Sequence, residues 1–198
     1  MAFVLLGFAI LKPNQIATAL QRTPLLTVEE MRAALEAAPA AGGLYAWWLI
    51  ERGGVPGVPA TPHPSASAGL LYVGVGPTSG SSRPLRKRFA DHTKRNTGSS
   101  TFRLVLASFL FERADWRPYW TDRPMLARDD NDALSAWQAQ NLRVQWIEVA
   151  EPWHFEADVI ALLRPPLNRE HNQAHPFYAE VGRARDAYRA AARANQSR

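Results

Sequence analysis

The sequence predicts a mixed α/β fold from three observations. Segments 42–50, 70–76 and 142–150 are short, apolar and rich in aromatic or β-branched residues, the composition of strands. Longer stretches with the 3.6-residue apolar period of helices surround them, most clearly 27–38, 84–95 and 152–164. The first two strand-like segments are neighbours in the chain, and such neighbours most simply pair antiparallel.

At 198 residues the chain has the length of one domain with arms or insertions, and it can bury a core. MAFVLLGFAILK opens it. This stretch falls short of the ~18 residues of a membrane span and has neither the basic start nor the cleavage site of a signal peptide. It reads as a core strand, a helix end or an interface arm. TVEEMRAALEAA, 27–38, is a helix that Thr27 caps, with Glu30 three residues on completing a capping box. GGLYAWWLI, 42–50, is the first strand, with Tyr45 and Trp47 on one face. The Pro/Gly/Ser-rich run 51–69 is a mobile connection much longer than an ordinary hairpin loop. LLYVGVG, 70–76, is the second strand; Tyr72 and Gly74 share a face, opposite Leu71, Val73 and Val75.

GPTSGSS follows, but its glycine spacing and missing Lys exclude a phosphate loop of the G-x-x-x-x-G-K-[ST] type. It feeds a helix starting near Pro84, a residue suited to the first helical position. STFRLVLASFLFE, 100–112, fits strand or helix, and its length and opening Ser/Thr cluster favour helix. Residues 113–130 read as loop, DALSAWQAQ as a short helix, and LRVQWIEVA, 142–150, as a strand with Val144, Trp146 and Glu148 on one face. PWHFEADVIALLR, 152–164, is a helix stopped by Pro165 and Pro166. A last helix, rich in Arg and Ala, covers 176–194.

There is no cysteine, which excludes disulfides, thiolate zinc sites and cysteine nucleophiles and fits a reducing cytoplasm. The formal charge is +5 and unevenly placed: residues 83–103 hold seven Arg or Lys against one Asp. A local basic patch suits a polyanion, although a solvated helix face reads the same way.

Helical geometry divides the charges of 85–95. Leu85 and Phe89 define the buried side. His92 lies about 40° and Arg88 about 80° from it, so both flank the core one turn apart. They can reach a shared cleft, or else snorkel or cap a neighbouring element. Lys87 and Lys94 point away, where Asp91 can pair with Lys87 and Arg95 at i,i+4 spacing. On the helix at 152–164, Glu156 sits in the middle of the apolar half. A carboxylate there is costly unless it pairs with an arginine, binds a cation or does acid/base work. His171 and His175, four apart, follow the double proline without a further ligand and read as loop contacts. The crowded LNREHNQAH lacks the spacing of an HNH nuclease motif.

In order, Gly43-Leu44-Tyr45, Tyr72-Val73-Gly74, Arg88-x-x-x-His92, Glu156 and the Asn168 of PPLN resemble the GIY-YIG nuclease family over about residues 42–172. The long interval between the tyrosines is similar to that of some restriction endonucleases of the family. The resemblance implies a small antiparallel three-stranded sheet flanked by helices; the chain departs from the compact members in an extra helical insertion at 100–139, and a C-terminal helix is expected at 173–198. Residues 1–41 would form an N-terminal arm and helix. It also implies a divalent-metal-dependent DNA endonuclease of restriction, repair or mobile-element type. One Mg²⁺ or Mn²⁺ would be held by Glu156. Arg88 would stabilise the phosphate in the transition state, His92, Tyr45 and Tyr72 would orient and deprotonate the attacking water, and Asn168 would brace the site. Arg88 and the metal would lower the phenol pKa, with Tyr45 favoured as the base or its immediate partner. Arg86, Lys87, Lys94 and Arg95 would be solvated or touch the DNA backbone. The expected location is cytoplasmic, with no membrane association. A dimer would suit a double-strand cutter, which needs two sites or two nicks. The competing expectation is a non-catalytic nucleic-acid-binding module on the same fold.

Overall fold

A computed structural model describes residues 12–36, 41–50, 54–93 and 97–195. The N-terminal apolar stretch up to residue 11, Lys94 and Arg95 lie outside the described residues. The elements run α1 (Pro13–Arg22), α2 (Val28–Glu36), β1 (Gly43–Ile50), β2 (Thr61–Pro62), β3 (Ala68–Gly76), α3 (Leu85–Thr93) and α4 (Thr101–Leu110). Then come β4 (Pro118–Trp120), β5 (Pro124–Leu126), α5 (Arg128–Asn141), β6 (Leu142–Glu148), α6 (Glu156–Leu163) and α7 (Tyr178–Ala194).

The main sheet is antiparallel throughout, in the order β2-β3-β1-β6. It has four strands where three are expected, because the Pro/Gly/Ser-rich connection contributes the two-residue β2 at the edge. The central strand β1 is buried on both faces over Gly43–Trp48. One face, bearing Leu44, Ala46, Trp48, Val73, Val75 and Ile147, packs against α1 and α6. The other, bearing Tyr45, Trp47, Val144 and Trp146, packs against α2, α3, α4 and α7.

The capping box at α2 forms as expected: Thr27 N–H donates to Glu30 Oε2 at 2.8 Å, and Glu30 N–H donates to Thr27 Oγ1 at 3.1 Å. α1 has no counterpart among the expected elements. Pro13 opens it, and Ile16, Ala17 and Leu20 form its buried stripe. Segment 100–112 is helix, with Ser100 capping it by accepting from Arg103 N–H at 3.1 Å.

Three expectations are corrected. The stretch 113–130 holds a hairpin, β4 with β5, and α5 starts at Arg128, ahead of the expected segment; strands of three residues carry too little alternation to read. Leu71 does not share a face with Val73 and Val75, because the β1–β3 register shifts between Trp47 and Trp48 and the bulge turns Leu71 to the Tyr45 side. Asp91 is buried rather than solvated, and its described partner is Arg83 at 3.1 Å rather than Lys87.

Candidate active site

The site forms where β1 and β3 face α3, at the outer edge of β3. Tyr45 stands opposite Gly74 in the sheet, and Trp47 opposite Tyr72. A Cβ on Gly74 would collide with the Tyr45 hydroxyl and ring, so only glycine lets the phenol lie across β3. Gly76 does the same for Arg88, whose Cγ would be 2.9 Å from a Cβ there.

Beyond β2, the edge of β3 is closed by the loop after Pro165–Pro166. Leu167 N–H donates to Leu71 C=O at 3.0 Å. Asn168 accepts from Val73 N–H at 2.9 Å and donates to Val73 C=O at 2.8 Å. The side chain thus replaces a missing strand for the residue between Tyr72 and Gly74. Asn172 in turn donates to Pro165 C=O at 2.8 Å and to Asn168 C=O at 3.2 Å, which fixes the loop.

Tyr45 OH lies 2.5 Å from His92 Nε2, and His92 Nδ1 lies 2.7 Å from Ser100 Oγ. Both the phenol and the imidazole are buried. Ser100 Oγ already accepts from Arg103 N–H. Its second lone pair remains for Nδ1–H, which leaves Nε2 to accept the Tyr45 O–H and so gives the buried phenol proton a partner; this tautomer is assigned from the hydrogen-bond network. Burial, reinforced by Arg88 and Arg103, pulls His92 down to about 3, so the ring is neutral at ordinary pH. Burial also pushes both phenols above their ordinary value, with Arg88 acting against it. Without a bound cation the expected lowering of the phenol pKa is therefore reversed: desolvation outweighs one guanidinium.

An open cleft of about 420 Å³ adjoins this pair, lined among others by Tyr72, Glu156, Asn168, Arg169, Glu170 and Arg185. Glu156 begins α6, on the side of Val159, Ile160 and Leu163. Among the described residues its carboxylate has no hydrogen bond and no ion pair, so it is not one half of a structural pair with Arg88. Burial, and then Glu170, raise its pKa, against His171 and Arg88. Arg88 is half-buried; Nη2 donates to Thr78 Oγ1 at 3.2 Å, and its buried Nε has no partner. Tyr45, Tyr72, Arg88 and Glu156 lie close enough to feel one another's charge, and the Tyr72 and His92 ring centroids are 6.4 Å apart.

All six residues singled out from the sequence thus converge. Tyr72 and Asn168 line the cleft while Tyr45, 2 % exposed, lies behind it. The basic stretch does not act as a unit. Arg86 and Lys87 are exposed on α3, Arg83 pairs with Asp91, and Arg103 is fully buried. Arg103 donates to Gln138, to Asn131 C=O at 3.1 Å and to Ser135 Oγ at 3.1 Å, tying α4 to α5. Sequence reasoning missed Ser100, Thr78, Arg169, Glu170 and Arg185. Only Ser100 carried a signal, as the cap of a helix that opens beside the site.

Among the described residues no three His, Cys, Asp or Glu side chains form a metal cage, and no helix is long and apolar enough to cross a membrane. A single unpaired carboxylate in a polar cleft fits a hard cation that keeps most of its waters and takes further oxygens from a phosphate.

A GIY-YIG catalytic domain model matches residues 43–187, which runs from β1 into α7. Neither a curated protein nor a solved structure matches the chain. GIY-YIG nucleases typically use a divalent metal. A match over most of the chain, together with the converged tyrosines, arginine, histidine, glutamate and asparagine, shows that the protein belongs to the GIY-YIG family and is a nuclease-type phosphodiesterase.

Proposed function

We propose that the protein is a divalent-cation-dependent endonuclease that hydrolyses phosphodiester bonds in DNA. The observation that carries the reading is the unpartnered carboxylate of Glu156 on the cleft wall with Tyr72, both within electrostatic reach of the Arg88 guanidinium, beside the Tyr45–His92 pair. Glu156 is the residue that would hold one Mg²⁺ or Mn²⁺. When bound, such an ion neutralises charge on the phosphate and leaving oxygens.

The chain's own groups do the rest. Arg88 donates to a non-bridging oxygen and stabilises the charge that builds up in the transition state. Tyr45 takes the proton of the attacking water while its own hydroxyl proton passes to Nε2 of the neutral His92, so the pair as a whole gains one proton. Ser100 holds the imidazole in the orientation this needs. Burial keeps the imidazole neutral beforehand, so its Nε2 is free to accept. Tyr72, on the cleft wall, positions the water and phosphate. Asn168 keeps β3 in register beneath them without touching the reacting atoms. Arg86 and Lys87, with Lys94 and Arg95, add sequence-independent affinity for the backbone.

Supercoiled plasmid incubated with purified protein is expected to be nicked or cut in Mg²⁺ and untouched in EDTA. Arg88→Ala is expected to abolish cutting with an unchanged circular dichroism spectrum. Full activity of that variant rejects the assignment, and metal-independent binding without cutting identifies a non-catalytic module instead. Supercoiled, linear, branched and single-stranded DNA with end mapping separates the restriction, repair and mobile-element roles.

A further inference from the structure

Arg169 and Arg185 stand in the same cleft, and the chemistry above does not use them. Arg169 directly follows Asn168. Arg185 projects from α7 between Val181 and Tyr188, which anchor that helix in the core. Both guanidinium groups are half-buried, and Nε of each is buried with no hydrogen-bond partner. Among the described residues neither forms an ion pair. Other arginines of α7 do: Arg183 pairs with Glu180, and Arg189 with Asp186 at 3.0 Å. The acid nearest in sequence, Glu170, lies 3.9 Å from His171. Arg169 is held in place by Tyr178, whose ring centroid is 4.5 Å from its guanidinium carbon.

Glu156 and Glu170 line the same cleft but pair with neither arginine, and two partly buried cations without an ion-pair partner repel each other, with burial adding to the cost. Burial, then Arg189 and Arg169, depress the Arg185 pKa, in keeping with that crowding. A bound oxyanion relieves the repulsion and satisfies the open N–H groups, and the guanidinium fork matches phosphate geometry. Tyr72 shares the cleft wall with Arg169 and Arg185, and the Arg88 guanidinium acts on the same phenol.

We propose that Arg169 and Arg185 form a second phosphate subsite, which holds another phosphate of the same strand whose scissile phosphate meets Arg88 and Glu156. This rests on the reading of the protein as a nuclease. It makes the C-terminal helix part of the substrate-binding surface.

The test uses the full chain with Arg169→Gln, Arg185→Gln and the double variant. Binding of a fluorescein-labelled DNA oligonucleotide is followed by anisotropy in EDTA over a series of salt concentrations. The double variant is expected to bind about tenfold more weakly, and the slope of log affinity against log salt is expected to shrink by ~1, the value for one lost phosphate contact. Its melting temperature is expected to hold or rise, because like charges are separated; a purely structural pair would lower it. With methylphosphonates flanking the mapped cleavage position, wild type is expected to fall to the level of the variant. Unchanged affinity and slope, or the same tenfold loss on the methylphosphonate strand, overturns the subsite. Wild type that binds but never cuts in Mg²⁺, with the variant slope reduced, refutes the hydrolase reading alone. Wild type that cuts while the variants bind normally refutes the subsite alone.

Discussion

Replacing Asn168 with Ala removes two hydrogen bonds at once, to the N–H and the C=O of Val73. Val73 is fully buried and Asn168 is 4 % exposed, so water has little access to the groups left behind. Each orphaned buried backbone group costs about 1–3 kcal/mol, so the pair costs about 4 kcal/mol. That is a large share of the 5–15 kcal/mol typical of a whole domain. For a chain of this length it corresponds to a fall in Tm of roughly 10 °C. Asn168→Asp keeps the acceptor for Val73 N–H but sets an oxygen against Val73 C=O, and is expected to lose a similar amount. The damage reaches the chemistry because Val73 lies between Tyr72 and Gly74, the residue over which the Tyr45 hydroxyl lies. A misplacement of about 1 Å there lowers the rate by about 10². Thermal and urea denaturation measure the first effect, and single-turnover cleavage below the lowered Tm measures the second. An Asn168→Ala protein melting within 2 °C of wild type would refute the bracing argument, since it requires ~4 kcal/mol.

The remaining expectations are more compact. Tyr45→Phe should lower the single-turnover rate by about 10²–10⁴ and Tyr72→Phe by less than about tenfold; the reverse order in a cleavage time course would move the base to Tyr72. Ser100→Ala should cost about 1 kcal/mol through the lost cap of α4 and about tenfold in rate through the freed imidazole, while Ser100→Thr restores both; urea titration and cleavage kinetics read the two separately. The depressed pKa of His92 gives a pH dependence of stability with a definite sign. The unfolded chain takes up the proton near 6.5 and the folded chain only near 3, so this stability is complete above about 6.5 and is lost as pH falls toward 3. The lost amount grows by about 1.4 kcal/mol per pH unit in that window. Urea midpoints from pH 7 to pH 4 should show that component in wild type and not in His92→Gln; parallel curves would contradict a buried neutral His92.

The sequence made the chemistry of the site more legible than its frame. Arg88, His92 and Glu156 are polar groups at positions where the local period expects burial or near-burial, and that conflict is visible without coordinates; Tyr45, Tyr72 and Asn168 show no such conflict and stand out only through the resemblance to the GIY-YIG family. Gly74 was visible beside Tyr72 on its face, but only the folded sheet shows that Tyr45 lies over it and Arg88 over Gly76. The frame was harder because tertiary context decides it. Asp91 looked solvated on its helix, and only the approach of Arg83 from the preceding loop permits its burial. The bulge at Leu71 breaks a clean alternation that nothing local disrupts. Arg103 belonged to a basic run by sequence, yet it is a core bolt between α4 and α5, its two terminal nitrogens held by side chains and a carbonyl some 30 residues away. Arg169 and Arg185 were illegible because one follows a proline-rich stop and the other sits on an Arg/Ala-rich helix. Only the fold shows that both line one cleft with Tyr72.

The most direct test of the central claim is the single-turnover rate of phosphodiester cleavage by Glu156→Gln in saturating Mg²⁺, compared with wild type under the same conditions. The substitution keeps the shape of the side chain and removes the charge that would hold the cation. A fall of at least about 10³, corresponding to about 4 kcal/mol of lost transition-state stabilisation, with Tm unchanged or raised, is the predicted result. A rate within about threefold of wild type, well under 1 kcal/mol, would contradict the account.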